Sequence, residues 1–311
     1  MNFNHLKRLL VLPYFGIPTF ATLLVHYRLG HSMSLGVAII DTTCRCNLSC
    51  SVCYYKRHKS TKELSLSEWK IKLLELKKKG TAFVTWTGGE PLLRPEVIEL
   101  GRRIFPFNTV FTNGTNPIPD WQDVVFYVSI DGTKTSYEKI RGKQYETVKS
   151  TIRNSSQPVI VTMVINKVNK KCIENYLDEW LKEPNVRAVA FSFYTGSETT
   201  GYDELLLRDG ELQKIVERLK KAKRKYGESL IMTEKMADLF LPQNRLRAVG
   251  LRCVVKSFTC LDAEGKNKLP CSMTNSNCER CGQFIPYAFT SIFQRGDIEL
   301  VNLVRKLWIR V

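Results

Sequence analysis

Between residues 36 and 226 the apolar positions alternate between two rhythms. Six runs read as buried strands, being short, apolar and rich in β-branched residues: GVAIIDTT (36–43), TAFVTW (81–86), NTVFTN (108–113), VVFYVSI (124–130), PVIVTMVI (158–165) and VRAVAFSFY (186–194). Helical spacing fills most of the gaps. Ser65 and Glu68 stand at capping-box spacing ahead of Trp69, Leu73, Leu74 and Leu76, and Gly80 ends that helix. Further helices are predicted from about Pro95, through Thr147 to Arg153, over KKCIENYLDEWL (170–181) and from about Asp209 to Lys225.

Six strand-then-helix units predict an α/β fold with a parallel sheet. They are too few for a closed eight-unit barrel and enough for an open partial (β/α)6 TIM-type barrel. In such a fold the chemistry gathers at the carboxyl ends of the strands. The TCRCNLSCSVCYY segment (43–55), the GGEP turn (88–91), Asn113, Asp131 and Gly196 all fall just past strand ends, so one mouth is expected to hold them. Residues 227–311 read as a small cysteine-rich C-terminal domain, and residues 1–35 as an apolar and basic lead-in.

Within that lead-in, residues 9–25 are uncharged and apolar, but they are shorter than a bilayer span and broken by Pro13 and Pro18. They predict a packed cap or an interfacial segment. With no secretory signal pattern, the expected setting is cytoplasmic, with peripheral contact to an anionic membrane. The excess of 47 Lys and Arg over 30 Asp and Glu, a net charge of +17, suits polyanions or such a membrane surface, or is a solvated basic face. The run Arg218–Lys225 reads as the exposed face of the last barrel helix, and no nucleic-acid motif accompanies it, so nucleic acid is not the expected partner.

Ten cysteines in a chain of this length, grouped in two sets, point to metal rather than to disulfides. Cys172, alone on a helix, reads as an inert packed thiol. The first set has the spacing Cys46-x3-Cys50-x2-Cys53, with Cys44 outside it as a bystander. Three thiolates leave one iron of a four-iron cubane without a protein ligand, and an open metal position is where substrate or cofactor binds. A zinc knuckle would want paired C-x2-C spacing, and a ferredoxin run would want a different repeat; neither explains the glycine-rich turn downstream.

The sequence Cys46-Asn-Leu-Ser-Cys50-Ser-Val-Cys53 followed by Thr87-Gly88-Gly89-Glu90-Pro91 resembles the radical S-adenosylmethionine superfamily. The resemblance implies a [4Fe–4S] cluster on Cys46, Cys50 and Cys53, with S-adenosylmethionine on its open iron. It implies that Gly88, Gly89, Glu90 and Pro91 face the methionine ammonium. Ser129-Ile-Asp131-Gly132 and Arg141-Gly142 look like a further family stretch, which implies Ser129, Asp131 and, from the next strand, Asn166 as cofactor-pocket residues. Val52 departs from the aromatic residue many members carry before the third cysteine.

The tail, from Cys253 through Cys260 and Cys271 to Cys278 and Cys281, contains the hairpin-like stretch FTCLDAEGKNKLPC. It resembles the auxiliary-cluster domains called Twitch and SPASM. The resemblance implies a second [4Fe–4S] cluster on Cys253, Cys271, Cys278 and Cys281, with Cys260 on a hairpin strand and not a ligand. Four thiolates would also satisfy zinc.

The expected activity is therefore an enzyme that cleaves S-adenosylmethionine reductively to a 5′-deoxyadenosyl radical. The radical abstracts hydrogen from an organic substrate or adds to it. A reductant such as ferredoxin or flavodoxin is the implied partner. The lead-in and the charge favour a lipid or isoprenoid substrate, with a peptide or RNA as the alternative. An iron–sulfur electron carrier is the non-catalytic alternative, and it has no use for GGEP or an open iron. With only four His, none in metal spacing, a hydrolytic metal site is not expected.

Overall fold

The computed structural model describes residues 36–53, 55, 62–196, 202–269, 271–273 and 276–308. The expected lead-in over 1–35, with its apolar stretch, lies outside them.

All six expected strands form: β1 (Val37–Asp41), β2 (Phe83–Thr87), β3 (Phe107–Thr112), β4 (Val124–Ser129), β5 (Val159–Ile165) and β6 (Val186–Phe193). They pair in parallel and in chain order, and a seventh strand, β7 (Thr259–Leu261), adds itself beside β1. The sheet is open. Beyond β6 there is one isolated parallel bridge, from Val189 to Leu230.

The helices are α1 (Leu66–Lys78), α2 (Pro95–Ile104), α3 (Lys134–Arg141), α4 (Tyr145–Arg153), α5 (Ile173–Trp180), α6 (Asp209–Tyr226), α7 (Phe284–Arg295) and α8 (Ile298–Trp308), with short helical turns between some of them. At α1 the capping box closes as its spacing predicts: the Ser65 hydroxyl accepts from the Glu68 N–H, and the Glu68 carboxylate accepts from the Ser65 N–H. Trp69, Leu73 and Leu76 are buried, whereas Leu74 turns to solvent.

Two details depart from the expected alternation. No helix joins β3 to β4, and the single helix expected near 147–153 is a pair, α3 and α4. The turn between them needs Gly142, which sits at φ +89°. The β7 hairpin is also shorter than its sequence suggests. Its return arm makes one antiparallel bridge, Leu261 to Asn267, while β7 itself spends its backbone on β1.

The core fills the space between sheet and helices. Trp86 on β2 packs so closely on α2 that a Cβ at Gly101 would stand 2.1 Å from its ring, and its indole N–H donates to Asn108 Oδ1 at 3.0 Å. At the amino-terminal ends of the strands, Trp308 of α8 lies edge-on to Phe83 and Phe107, at 5.9 and 5.4 Å between ring centroids. Arg187 at the start of β6 donates to the carbonyls of Lys306 and Leu307, capping α8. One end of the sheet is thus closed, and the carboxyl ends of the strands stay free for chemistry.

The basic run on α6 is less of a free surface than its sequence suggests. Arg218 pairs with Glu174, Lys220 with Asp238, Lys223 with Glu299, Arg224 with Glu234 and Lys225 with Asp178, and Lys223 is buried. No helix among the described residues is long and apolar enough to cross a membrane.

Candidate active site

The three-cysteine loop leaves the carboxyl end of β1, and the GGEP turn leaves the neighbouring end of β2. Backbone bonds continue past both strands: Thr42 N–H to Thr87 O at 3.0 Å, Gly89 N–H to Thr43 O at 2.9 Å and Glu90 N–H to Arg45 O at 2.8 Å. This zipper requires glycine. A Cβ on Gly88 would lie 2.5 Å from Thr43 O, and one on Gly89 would lie 2.1 Å from Arg45 O. The close approach these glycines permit is that of the cysteine loop's own backbone. The loop's far side is tied to α3 by the Ser51 N–H, which donates to Ile140 O at 2.9 Å.

Within the loop Cys46 is exposed, Cys50 buried and Cys53 half-buried. The Cys50 thiol is pushed above the ordinary thiol range, chiefly by burial, with Arg141 opposing the effect. The mutual electrostatic influence of Cys46, Cys50 and Cys53 marks the three as neighbours.

Glu90 is fully buried under this loop. One carboxylate oxygen accepts from Leu92 N–H at 3.0 Å and from Thr112 Oγ1 at 2.7 Å, and the other accepts from Asn113 N–H at 2.7 Å. Burial raises its pKa against these three bonds. Glu90 therefore clasps the ends of β2 and β3 and caps the turn that starts at Pro91.

Asn113, past the end of β3, was noted in the sequence only for its place and not as a ligand-pocket residue. Its Nδ2 reaches Asn47 Oδ1 at 2.9 Å and lies 3.9 Å from Cys46 Sγ, while Thr115 links back to both asparagines. No periodicity signals this role; only the strand-end position does.

At the next strand ends Ser129 closes β4, half-buried and paired in register with Thr162. Asp131 is buried and holds two segments: it accepts from Val164 N–H at 2.9 Å and from Arg141 Nε at 2.8 Å. Burial disfavours the Arg141 charge, but the Asp131 carboxylate and the nearby Cys50 outweigh it and raise its pKa. Asn166, also buried, is turned to local backbone, donating to Val164 O and accepting from Val168 N–H. Cys44 has its own partner: its thiol donates to Glu63 Oε1 at 3.1 Å, and Glu63 also accepts from Thr43 and pairs with Arg94. Glu63 carries no signal in the sequence.

The C-terminal cysteines come together from separate elements. Cys253 follows one helical turn, Cys271 follows the β7 hairpin, and Cys278 and Cys281 flank another helical turn. Cys253 and Cys281 each feel Cys271, and Cys253 and Cys271 each feel Cys278. Burial pushes the Cys253 thiol up to about 11 and the Cys281 thiol up to about 12. Cys260 on β7 is buried and packs in the same apolar cluster as Cys253 and Cys271. Such thiols are poor ligands until a cation displaces their protons, and iron or zinc would do so. Among the described residues no three His, Cys, Asp or Glu groups converge tightly enough for a single metal ion. The donor chemistry of both sets, all sulfur, fits iron–sulfur clusters.

Beside the second set a crevice opens at the carboxyl end of β6, with Phe193, Tyr194, Arg245, Arg280, Cys281 and Tyr287 in its wall. The Arg245 Nε–H is buried there without a hydrogen-bond partner among the described residues.

Residues 40–180 match the family model described as the radical SAM superfamily. The sporulation killing factor maturation protein SkfB of Bacillus subtilis is 30% identical over 217 residues, which cover 61% of this chain and 50% of SkfB. This chain thus spans about half the length of that relative. Among solved structures, anSMEcpe with bound AdoMet and a peptide superposes with a TM-score of 0.60 at 14% identity, covering 88% of this chain and 84% of the other. SuiB of Streptococcus suis bound to precursor peptide SuiA superposes with a TM-score of 0.60 at 15% identity, covering 90% and 70%. These likenesses carry the fold: an open, parallel, partial barrel.

Proposed function

We propose, from the premise that this chain belongs to the radical SAM superfamily, that it is an enzyme whose Cys46, Cys50 and Cys53 hold the [4Fe–4S] cluster that binds S-adenosylmethionine. The observation that carries the reading is the zipper from Gly88–Glu90 to the cysteine loop, which holds Cys46, Cys50 and Cys53 at one strand end while the fourth thiol of the loop, Cys44, is turned to Glu63. The cluster and S-adenosylmethionine, when bound, supply a 5′-deoxyadenosyl radical after one electron from a reductant of the ferredoxin or flavodoxin kind. The chain's own residues hold and shape. Asn113 steadies Cys46, the Asp131–Arg141 pair backs Cys50, and Gly88, Gly89, Glu90 and Pro91 form the floor beneath the loop. Ser129 ends the adjoining strand β4 as a cofactor-pocket residue, and Asn166, buried and bonded to the backbone of Val164 and Val168, shapes the end of β5 from behind. Residues 36–226 form the initiating unit in this reading, and residues 227–311 the unit that carries a second [4Fe–4S] cluster on Cys253, Cys271, Cys278 and Cys281. A single zinc ion is the alternative occupant of the same four thiolates.

For the substrate a peptide takes precedence over the lipid favoured by composition. Proteins of this fold have been solved with peptides bound, an argument by fold-level analogy. The test is made on anaerobically reconstituted, dithionite-reduced protein given S-adenosylmethionine, with and without candidate peptides. 5′-Deoxyadenosine from the parent but not from Cys46→Ala supports the reading. A full, reducible cluster that neither binds nor cleaves the cofactor would leave the electron-carrier reading standing instead.

A further inference from the structure

Lys268 is placed where a lysine is seldom found. Its side chain is 2% exposed, and its ammonium lies 2.5 Å from Asp41 Oδ2, which is itself fully buried. Asp41 is the last residue of β1, immediately ahead of the first cysteine loop, and its other oxygen accepts from Thr87 Oγ1 at 2.7 Å at the end of β2. Lys268 belongs to the return arm of the β7 hairpin. Its backbone N–H donates to Cys260 O at 2.8 Å, and three residues later the chain reaches Cys271. The pair is therefore a bolt between the strand that launches one cysteine set and the hairpin that delivers the other.

Two buried charges are stable together only when each satisfies the other, and such pairs are weak grounds for stability alone. Their field is another matter, because interior charges act over several ångströms with little screening. Lys268 is carried by the hairpin arm that runs on to Cys271 three residues later and is bonded to Cys260 O, whereas Asp41 sits at the end of β1. The positive member of the pair thus belongs to the element that delivers the C-terminal cysteines.

We propose that Lys268 is a positioning residue for the second cluster: paired with Asp41 it fixes the hairpin to the end of β1, and its buried charge makes a cluster on Cys253, Cys271, Cys278 and Cys281 easier to reduce. Reduction adds one electron to the cluster from an external donor such as dithionite. The added negative charge is stabilised by the ammonium and opposed by the carboxylate. The inference rests on the second cysteine set holding iron and sulfur.

The experiment uses the full chain carrying Cys46→Ala, Cys50→Ala and Cys53→Ala, so that only the second cluster contributes. Its midpoint potential is read by EPR during a mediated redox titration. The expected order, from highest to lowest, is Asp41→Asn, the parent, the double variant Asp41→Asn with Lys268→Met, and Lys268→Met alone. Lys268→Arg is expected to stay near the parent. Lys268→Met leaves a buried carboxylate unpaired and is expected to fold poorly; the double variant leaves no unpaired charge, and its potential below the parent would suffice. Equal potentials in the parent, the double variant and Asp41→Asn would overturn the proposal. Metal analysis separates this failure from failure of its premise, since zinc in place of the second cluster's iron would remove the cluster itself.

Discussion

The two cysteine sets solve one problem in different ways. The first is local: Cys46, Cys50 and Cys53 come from eight consecutive residues at one strand end, held down by the backbone of the next strand's turn. The second is assembled from three separate places over residues 253–281, and burial drives the Cys253 thiol up to about 11 and the Cys281 thiol up to about 12. A local set forms with its own loop. An assembled set forms only when its separate segments dock. The comparison also separates what each site depends on: the first on two glycines and a buried glutamate, the second on the docking of a hairpin and two helical turns.

The sharpest way to break the first site is to remove a ligand. Cys46→Ala is expected to abolish 5′-deoxyadenosine formation, measured by chromatography under anaerobic reduction. Gly89→Ala should come close to it without touching a ligand. The new Cβ meets Arg45 O at 2.1 Å, and relief of that clash is expected to cost about 3 kcal/mol and to strip iron from the loop, seen as a lowered melting temperature and iron content. The second site should fail differently. Cys278→Ala with Cys281→Ala is expected to lower iron from about eight to about four per chain while cofactor cleavage continues and substrate product is lost. Cleavage lost as well would make the second set a folding element.

Smaller effects probe the supports. Glu90→Gln turns an amide N–H₂ toward backbone or hydroxyl donors and is expected to destabilise the fold by about 1–3 kcal/mol, read by denaturant titration. Smallest of all should be Cys44→Ala. Its thiol serves Glu63, and Thr43, the Cys44 N–H and Arg94 retain that carboxylate, so iron content and cofactor cleavage are expected to match the parent.

Legibility followed the same division. The strands were readable because each is short, apolar on both faces and bounded by turn residues, and the α1 cap because its two partners lie three residues apart. The Pro- and Asn-rich segment between β3 and β4 carries no helical spacing and forms no helix, although the count of strand-then-helix units passed over that gap. The β7 hairpin was visible as a turn, but its outer partner was not: β1 lies more than two hundred residues earlier, and a three-residue strand carries no register signal of its own. Around the sites, glycine and cysteine spacing located the loop and the turn, while Glu63 and the reach of Asn113 to Cys46 appear only when distant strand ends meet.

By itself the sequence determined the parallel α/β architecture, the three-cysteine loop and the turn beside it, because hydrophobic period and close spacing are local properties that any folded form of this chain must respect. Tertiary structure alone decided that Gly88 and Gly89 serve the cysteine loop's backbone, that Asp131 is bound to Arg141, and that Lys268 meets Asp41. A buried charge is tolerable only where its partner arrives, and that arrival depends on the fold closing over residues far apart in the chain.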